Sequence, residues 1–224
     1  MIAGGAEELS PTGAAVFDVM YATSRLNDTP QLSPRPFDQC RDGLVIGEGA
    51  GCLILEELEH AKARGATIYA EVMGYASNTD GTHVTKPEQT TMARCMQLCL
   101  DDAQLAPEQI GYVSAHATAT DQGDIAESHA TFQVLGAKPV NSLKSYFGHT
   151  LGACGALEAW LGIEMLNRDE YVPTLNLQQI DPLCAPLDYI QHVPRQIATE
   201  FFMSNNFAFG GINTALIFRR ASMV

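Results

Sequence analysis

The sequence predicts an α/β fold, and three observations carry that reading. Short apolar runs of strand character alternate with helix-period segments along the chain. A stretch rich in histidine and threonine, His116 to Thr120, follows directly on one such run. Open α/β sheets place their site residues there, beyond the carboxyl ends of the strands. The connecting loops are marked by glycine, at Gly47 and Gly49, at Gly148 and at the pair Gly210-Gly211.

Taken in order, MIAGGAEE reads as the end of a buried strand running into a turn, followed by a helix from Pro11 to Ser24. A long polar loop passes through Pro36, Phe37 and Asp38. Gly43 to Leu58 reads as two short apolar strands around a Gly-Glu-Gly turn, leading into a helix that reaches Arg64. Ala70 to Ala76 is a further strand, and Ser77 to Pro87 a loop carrying Asp80 and His83. The helix from Glu88 to Gln104 places Met92, Cys95, Met96, Cys99 and Leu100 on one apolar face, so these cysteines are core. A strand spans Tyr112 to Ala115. The next helix, Gly123 to Leu135, carries Asp124 and Glu127 in its first turn, where carboxylates suit the helix dipole. The C-terminus is two apolar strands around Gly210-Gly211, with Phe207 and Phe209 as core residues or a mobile apolar wall.

Composition narrows the function. Hydrophobic content of 46% against 17% charge indicates a globular chain. A net charge of −13 with no basic run argues against a nucleic-acid surface. With no stretch of 18 apolar residues and no basic-then-apolar start, no membrane span is expected and the cytoplasm is the default compartment. None of the six cysteines forms a C-x-x-C pair, which removes the usual zinc and redox readings.

The densest chemistry lies in NSLKSYFGHTLGACGALEAWL, Asn141 to Leu161. It reads as a loop from Ser142 to Gly148, then His149, then a helix from Thr150 to Asn167. Gly152, Gly155, Ala156 and Ala159 give that helix a face that another backbone can approach closely. A histidine at a helix start is disfavoured as an imidazolium, and a neutral one can donate to negative charge developing on a carbonyl oxygen. Lys144 lies five residues upstream, and Glu158 is its natural buried partner on the helix. A capped helix with a surface lysine and a satisfied histidine would show the same residues. Cys154 follows His149 closely, yet with no base expected beside it, it reads as packing.

Three separated motifs, in this order and at these spacings, make the chain similar to the β-ketoacyl-acyl-carrier-protein synthases of the thiolase-like superfamily. His116-Ala117-Thr118-Ala119-Thr120 resembles H-G-T-G-T, followed by a matching Gly-Asp and Glu127. Lys144 to His149 resembles K-x-x-x-G-H, continuing through Gly152 to Glu158. Asn206 to Asn213 resembles S/N-F-G-F-G-G-x-N, and Asp80 to Pro87 resembles the family's gating loop. The resemblance implies a layered α-β-α-β-α fold, with residues 1–60 as the tail of its N-terminal half and 61–224 as its C-terminal half. It implies decarboxylative Claisen condensation of an acyl thioester with a malonyl thioester, both carried on the phosphopantetheine of acyl carrier protein. No bound cofactor or metal is implied, and a homodimer or a ketosynthase-like heterodimer is. By the same resemblance His116 and His149 hold the enolate oxygen and Lys144 orients His116 with Glu158 neutralising it. Thr118 and Thr120 bind the phosphopantetheine arm. The Phe209 N–H serves the acyl oxyanion while the Phe209 ring gates the pocket. Phe207, Gly210, Asp80 and His83 complete the substrate-binding set, and Glu127 and Asn213 are structural residues near the site.

The family's nucleophile is a cysteine in a Cys-Ala-Ser/Thr turn, expected upstream of the segment resembling MIAGG. The chain alone is therefore expected to be inactive and poorly self-sufficient, with an unpaired apolar edge at Met1 to Gly4. Ala117, Ala119 and Ala208 stand where the pattern has glycine and point to a specialised branch, of the aryl-polyene type. Two other readings of the fold are a non-catalytic chain-length partner and a degradative thiolase or hydrolase. Retention of His116, His149 and Lys144 weighs against the first. Phe207 and Phe209, where a thiolase has a second cysteine, weigh against the second.

Overall fold

The strand before His116 and the two apolar strands at the C-terminus meet in one sheet, around which the other elements are layered. The computed structural model describes residues 1–221. In chain order the elements are β1 (Ile2–Glu7), α1 (Pro11–Val19), β2 (Gly49–Ile54), α2 (Leu58–Ala63), β3 (Ala70–Thr79) and α3 (Gln89–Ala103). They continue with β4 (Ile110–Ser114), α4 (Asp121–Leu135), β5 (Pro139–Asn141), the single turn α5 (Lys144–Phe147) and α6 (Cys154–Arg168). Last come β6 (Glu170–Tyr171), β7 (Asp188–Tyr189), β8 (Arg195–Gln196), β9 (Phe201–Ala208) and β10 (Ile212–Arg220).

The main sheet has six strands in the order β3-β10-β9-β4-β5-β7. Strands β3, β10 and β9 are antiparallel, and β9, β4, β5 and β7 are parallel to one another. A tight turn joins β9 to β10, and Gly210 and Gly211 both take left-handed φ there, 85° and 82°. The parallel pair β4 and β5 is joined by α4, as a parallel connection requires. Successive residues of β9 and β10 point to opposite faces, so Met203 and Ile217 enter one core while Phe202 and Phe218 enter the other. The first core is closed by the Met92-Cys95-Met96-Cys99-Leu100 face of α3 together with α4, as the helical spacing predicts. The second is closed by Ala159, Ile163 and Leu166 of α6, over Tyr112 and Tyr171, whose rings lie 4.3 Å apart.

Helix α6 is covered on its far side too, by the antiparallel ribbon β1–β2. The order of layers is thus helices, sheet, helix, ribbon. The approach is close because both sides of the contact are small: a Cβ on Gly5 would stand 1.9 Å from the Gly152 carbonyl oxygen, and one on Gly51 would meet the Ala156 methyl at 3.1 Å. The small residues of α6 and the turn before it do not share one face as their spacing suggested. Gly152 and Ala156 face the ribbon, Gly155 faces the Asn206 side chain, and Ala159 enters the second core.

Several boundaries differ from expectation for local reasons. Helix α1 stops at Val19 because Tyr21 turns into the left-handed region at φ 54°. Leu44 to Ile46 is not a strand: Leu44 bridges Thr23 and Ile46 bridges His149, so the segment is a strap between two neighbours. β1 alternates exposed and half-buried residues rather than being buried throughout, with Ile2 exposed. α4 begins at Asp121, which moves Glu127 into the second turn. Asp124 is fully buried, accepts the Phe37 N–H at 2.8 Å and lies 3.5 Å from Arg41, itself bonded to Asp181 at 2.6 Å, so it anchors the polar loop. Among the described residues no helix is long and apolar enough to cross a membrane.

The glycine contact between β1 and the turn leading into α6 gives a stability test. Gly5→Ala, which drives a methyl into a backbone carbonyl, is expected to destabilise the chain by roughly 1–3 kcal/mol in a denaturant titration. Gly81→Ala, where an added methyl meets nothing within 4 Å, is expected to change stability by less than about 0.5 kcal/mol. Equal midpoints for the two variants would mean that the ribbon does not seat on α6.

Candidate active site

His116 lies two residues beyond β4, at the carboxyl end of the parallel strands, and is buried. Glu127 clamps its backbone: one carboxylate oxygen accepts the His116 N–H at 2.8 Å, the other the Ala117 N–H at 2.7 Å. The Ser142 hydroxyl donates to the Ala117 carbonyl at 2.7 Å from the opposite side. Burial pushes the Glu127 carboxyl up, to about 8, against the downward pull of those two N–H groups and of Lys144.

His149 is held by a different device. Gly148 ends α5 at φ 75°, and the strap 45–47 grips the next residue: His149 N–H donates to the Val45 carbonyl at 2.7 Å and Gly47 N–H to the His149 carbonyl at 2.9 Å. A Cβ on Gly148 would stand 2.7 Å from the Val45 carbonyl oxygen, so the strap needs glycine there. The segment expected as a loop from Ser142 to Gly148 contains the turn α5, and the α-helix proper starts only at Cys154. The two imidazoles meet edge to face, with ring centroids 5.1 Å apart and planes at 87°.

Lys144 and Glu158 are both completely buried and form a direct ion pair. Burial raises the Glu158 carboxyl, and the Lys144 ammonium opposes that rise. The second oxygen of Glu158 accepts from the Asn206 side-chain amide at 2.7 Å. That amide also faces His116 Nδ1 at 3.5 Å. Among the described residues no hydrogen bond joins Lys144 to His116. The ammonium acts on the ring through its field, and the bonded path runs by way of Glu158 and Asn206. Both histidines are held neutral: burial lowers them most, Lys144 next, placing His149 at about 3 and His116 well below the ordinary range. Burial first and Lys144 second lower His149, while α6 begins only at Cys154.

The two rings open onto a cavity of about 520 Å³. Thr118 and Thr120 line it with their hydroxyls 3.1 Å apart, and Phe207, buried at the end of β9, forms a wall 6.4 Å from the His116 ring. Phe209 lies at the mouth against Phe17 of α1, with centroids 5.8 Å apart, and exposed His83 lines the opposite rim. Asp80 and Gly210 do not line the cavity. They tie its two mouth loops together: Asp80 N–H donates to the Gly211 carbonyl and Gly210 N–H to Val84, both at 2.9 Å. Asn213 is buried and donates to Asn78 Oδ1 at 2.9 Å, a structural bond between β10 and β3. Cys154 does face the cavity, but burial pushes its thiol up to about 11. Of the three alanines standing where the resembled pattern has glycine, only Ala119 takes a positive φ, 67°. The residue that sequence reasoning passed over is Asn206. It opens the third motif directly before Phe207, but strand alternation turns it away from a wall residue's face, so spacing alone gave no signal that both would line the cavity.

The Lys144–Glu158 pair makes a stability prediction. Lys144→Met and Glu158→Gln, each leaving one buried charge without its partner, are expected to cost about 3–5 kcal/mol apiece, and the double variant less than their sum. Unchanged melting temperatures in both single variants would show that the pair is not buried in solution.

Comparison with known proteins agrees with this geometry. The family described as Beta-ketoacyl synthase, N-terminal domain, matches residues 1–61, and Beta-ketoacyl synthase, C-terminal domain, matches residues 69–178. A 3-oxoacyl-[acyl-carrier-protein] synthase 2 from Vibrio cholerae is 44% identical, over 98% of this chain and 55% of the relative. A crystal structure of a beta-ketoacyl synthase from Burkholderia phymatum superposes with a TM-score of 0.98 at 64% identity, covering 99% of this chain and 54% of that one. A type II PKS acyl-carrier protein in complex with its ketosynthase bound to the hexaketide matches with a TM-score of 0.94 at 40% identity, over 99% of this chain and 56% of that one. The chain spans about half the length of the curated relatives it matches. Two family matches, a shared fold and a paired-histidine site lead to one statement: the chain belongs to the beta-ketoacyl synthase family.

Proposed function

We propose that this chain supplies the decarboxylation and enolate-holding machinery of a β-ketoacyl-acyl-carrier-protein synthase. The observation that carries the proposal is the pair of neutral histidines meeting edge to face over one cavity. The Leu151 N–H donates to His149 Nδ1 at 3.3 Å, which leaves the ring proton on Nε2. With the His116 proton also on Nε2, the site presents two N–H donors and no cation. Loss of CO2 from a malonyl thioester leaves an electron pair on the α-carbon, delocalised onto the thioester oxygen as an enolate. Two preorganised donors hold that oxygen, and each such donor is worth about 3–4 kcal/mol of barrier. The enolate carbon then attacks the acyl thioester on the nucleophilic cysteine of the complete protein. The C–C bond forms, the carbonyl oxygen takes up charge against the Phe209 N–H, and collapse expels the cysteine thiolate.

In this reading Thr118 and Thr120 hydrogen-bond a phosphopantetheine arm and Phe207 and Phe209 wall the acyl chain, and all four line the cavity. His83 sits at the rim, while Asp80 and Gly210 act on entry through the cross-bonded mouth loops. The substrates are delivered by acyl carrier protein, in keeping with the solved carrier-protein complex among the structural relatives. Pairing with a second ketosynthase-like chain, identical or not, belongs to this reading, and the ishigamide ketosynthase/chain length factor is a relative at 37% identity. A non-catalytic role is not favoured, because the donor pair and its buried charge support are intact.

His116→Ala and His149→Ala in the full-length protein are each expected to lower CO2 release from malonyl-acyl carrier protein by about 10²-fold or more. Acylation of the cysteine should survive better, and normal CO2 release by either variant would remove the enolate pair. A second expectation concerns pH. A histidine with a depressed pKa stays neutral above that value, so CO2 release should not decline as pH falls through 6.5, since His149 is protonated only near 3. An acid limb at about 6.5 that disappears in His149→Ala would show an ordinary histidine instead.

A further inference from the structure

The His116 tautomer is decided by one side chain. Asn206, on β9, directs its amide NH2 at three atoms: Glu158 Oε2 at 2.7 Å, the Asn205 carbonyl oxygen at 2.8 Å and His116 Nδ1 at 3.5 Å. The first two can only accept. An amide turned the other way would set its oxygen against two oxygens, one of them on a carboxylate, so the hydrogen-bond network forces the NH2 orientation. A nitrogen facing that NH2 must present its lone pair. With the two amide hydrogens given to Glu158 and Asn205, the 3.5 Å contact is at most a weak shared bond, and its force lies in what it forbids: an Nδ1–H facing an amide nitrogen finds no acceptor. The amide oxygen is accommodated over Gly155, where an added Cβ would stand 2.8 Å from Asn206 Oδ1. His149 obtains the same tautomer from a backbone N–H, and His116 has no such donor at its Nδ1.

We propose that Asn206 is a positioning residue that fixes His116 as its Nε2–H tautomer and couples that ring to the Lys144–Glu158 pair. The proposal rests on the reading of His116 as an enolate-holding donor, and deepens it. Glu158, anchored by Lys144, orients the amide; the amide excludes the proton from Nδ1; the proton is thereby committed to the nitrogen that faces substrate. Removing the amide frees the ring to place its proton on either nitrogen. The fraction with Nδ1–H then turns a lone pair on the enolate oxygen instead of a donor.

The test separates tautomer from turnover. In the chain labelled with ¹⁵N-histidine, long-range ¹H–¹⁵N spectra report which ring nitrogen carries hydrogen, and the His116 signals are those lost in His116→Gln. The expected result is a single Nε2–H form in the unsubstituted chain and a mixture of both tautomers in Asn206→Ala. Asn206→Ser, too short to reach Nδ1, gives the same mixture and is the variant to use if alanine prevents folding. In the full-length protein Asn206→Ala should lower kcat for CO2 release by about tenfold or more, since a fully wrong tautomer costs a serine protease about 10⁴. KM for the malonyl thioester should stay within about twofold. An unchanged Nε2–H spectrum in both variants overturns the positioning role. A mixed spectrum with full CO2 release upholds it and overturns instead the assignment of His116 as the enolate donor.

Discussion

Two opposite charges sealed in the centre of the molecule set the terms for everything around them. Lys144 and Glu158 are both fully buried, and withdrawing an ion from water costs several kcal/mol unless its partner and its remaining hydrogen-bonding positions are supplied. That requirement places α6. The helix must bring Glu158 against the single turn that carries Lys144, and so it runs between the six-stranded sheet and the β1–β2 ribbon. It fits there because side chains are missing where it is squeezed: Gly162 leaves room for the Phe202 ring on the sheet side, and Gly5 and Gly152 touch backbone to backbone on the other. The remaining carboxylate oxygen is met by Asn206. What the fold gains is a buried site in which burial first and the nearby Lys144 second keep both histidines uncharged.

The site is rigid where charge develops and divided where substrate enters. His116 is fixed through two consecutive N–H groups on one carboxylate, and His149 through paired hydrogen bonds to a three-residue strap. Neither depends on a surface element, so donors aimed at a transition state need little reorganisation. The mouth is built from two loops, 80–87 and 208–211, bonded to each other by backbone groups rather than packed into either core. Phe209 belongs to one of them and touches Phe17 on α1, a helix without a single fully buried residue. A ring carried on such elements can shift without disturbing the histidines.

The long periodic elements and the motif-bearing turns were legible in the sequence, because each is specified by local spacing. The α3 face, the helix α4 and the glycine turn before β10 follow from local spacing, whereas β5, three residues long, was not read. The paired histidines could be read as well, through three motifs whose order carries more information than any one of them. The strap at 44–47 could not: its apolar residues and glycines look like a strand, and only the tertiary position of His149 makes them a clamp. Strands β6, β7 and β8, of two residues each, are too short to show a period. The coupling through Asn206 was hidden for a related reason, since it joins residues 48 and 90 positions apart whose contact exists only once α6, β4 and β9 have come together.

The arrangement of ring protons also bears on which chemistry the cavity can perform. Carbon–carbon bond formation between thioesters needs a carbanion, made either by pulling a proton from the α-carbon or by losing CO2. The first route needs a base with a lone pair in the cavity. Here the lone pair of His149 is occupied by a backbone N–H and that of His116 faces an amide, so both rings offer hydrogen to the substrate. The Cys154 thiol, which also lines the cavity, is raised by burial to about 11 and holds its proton at neutral pH, and both oxygens of the Glu127 carboxylate there are engaged by backbone N–H groups. Two imidazoles that both offer donors are suited to receive negative charge rather than to create it. In the proposed function decarboxylation creates that charge from the substrate's own carboxylate, and the two neutral imidazoles hold it.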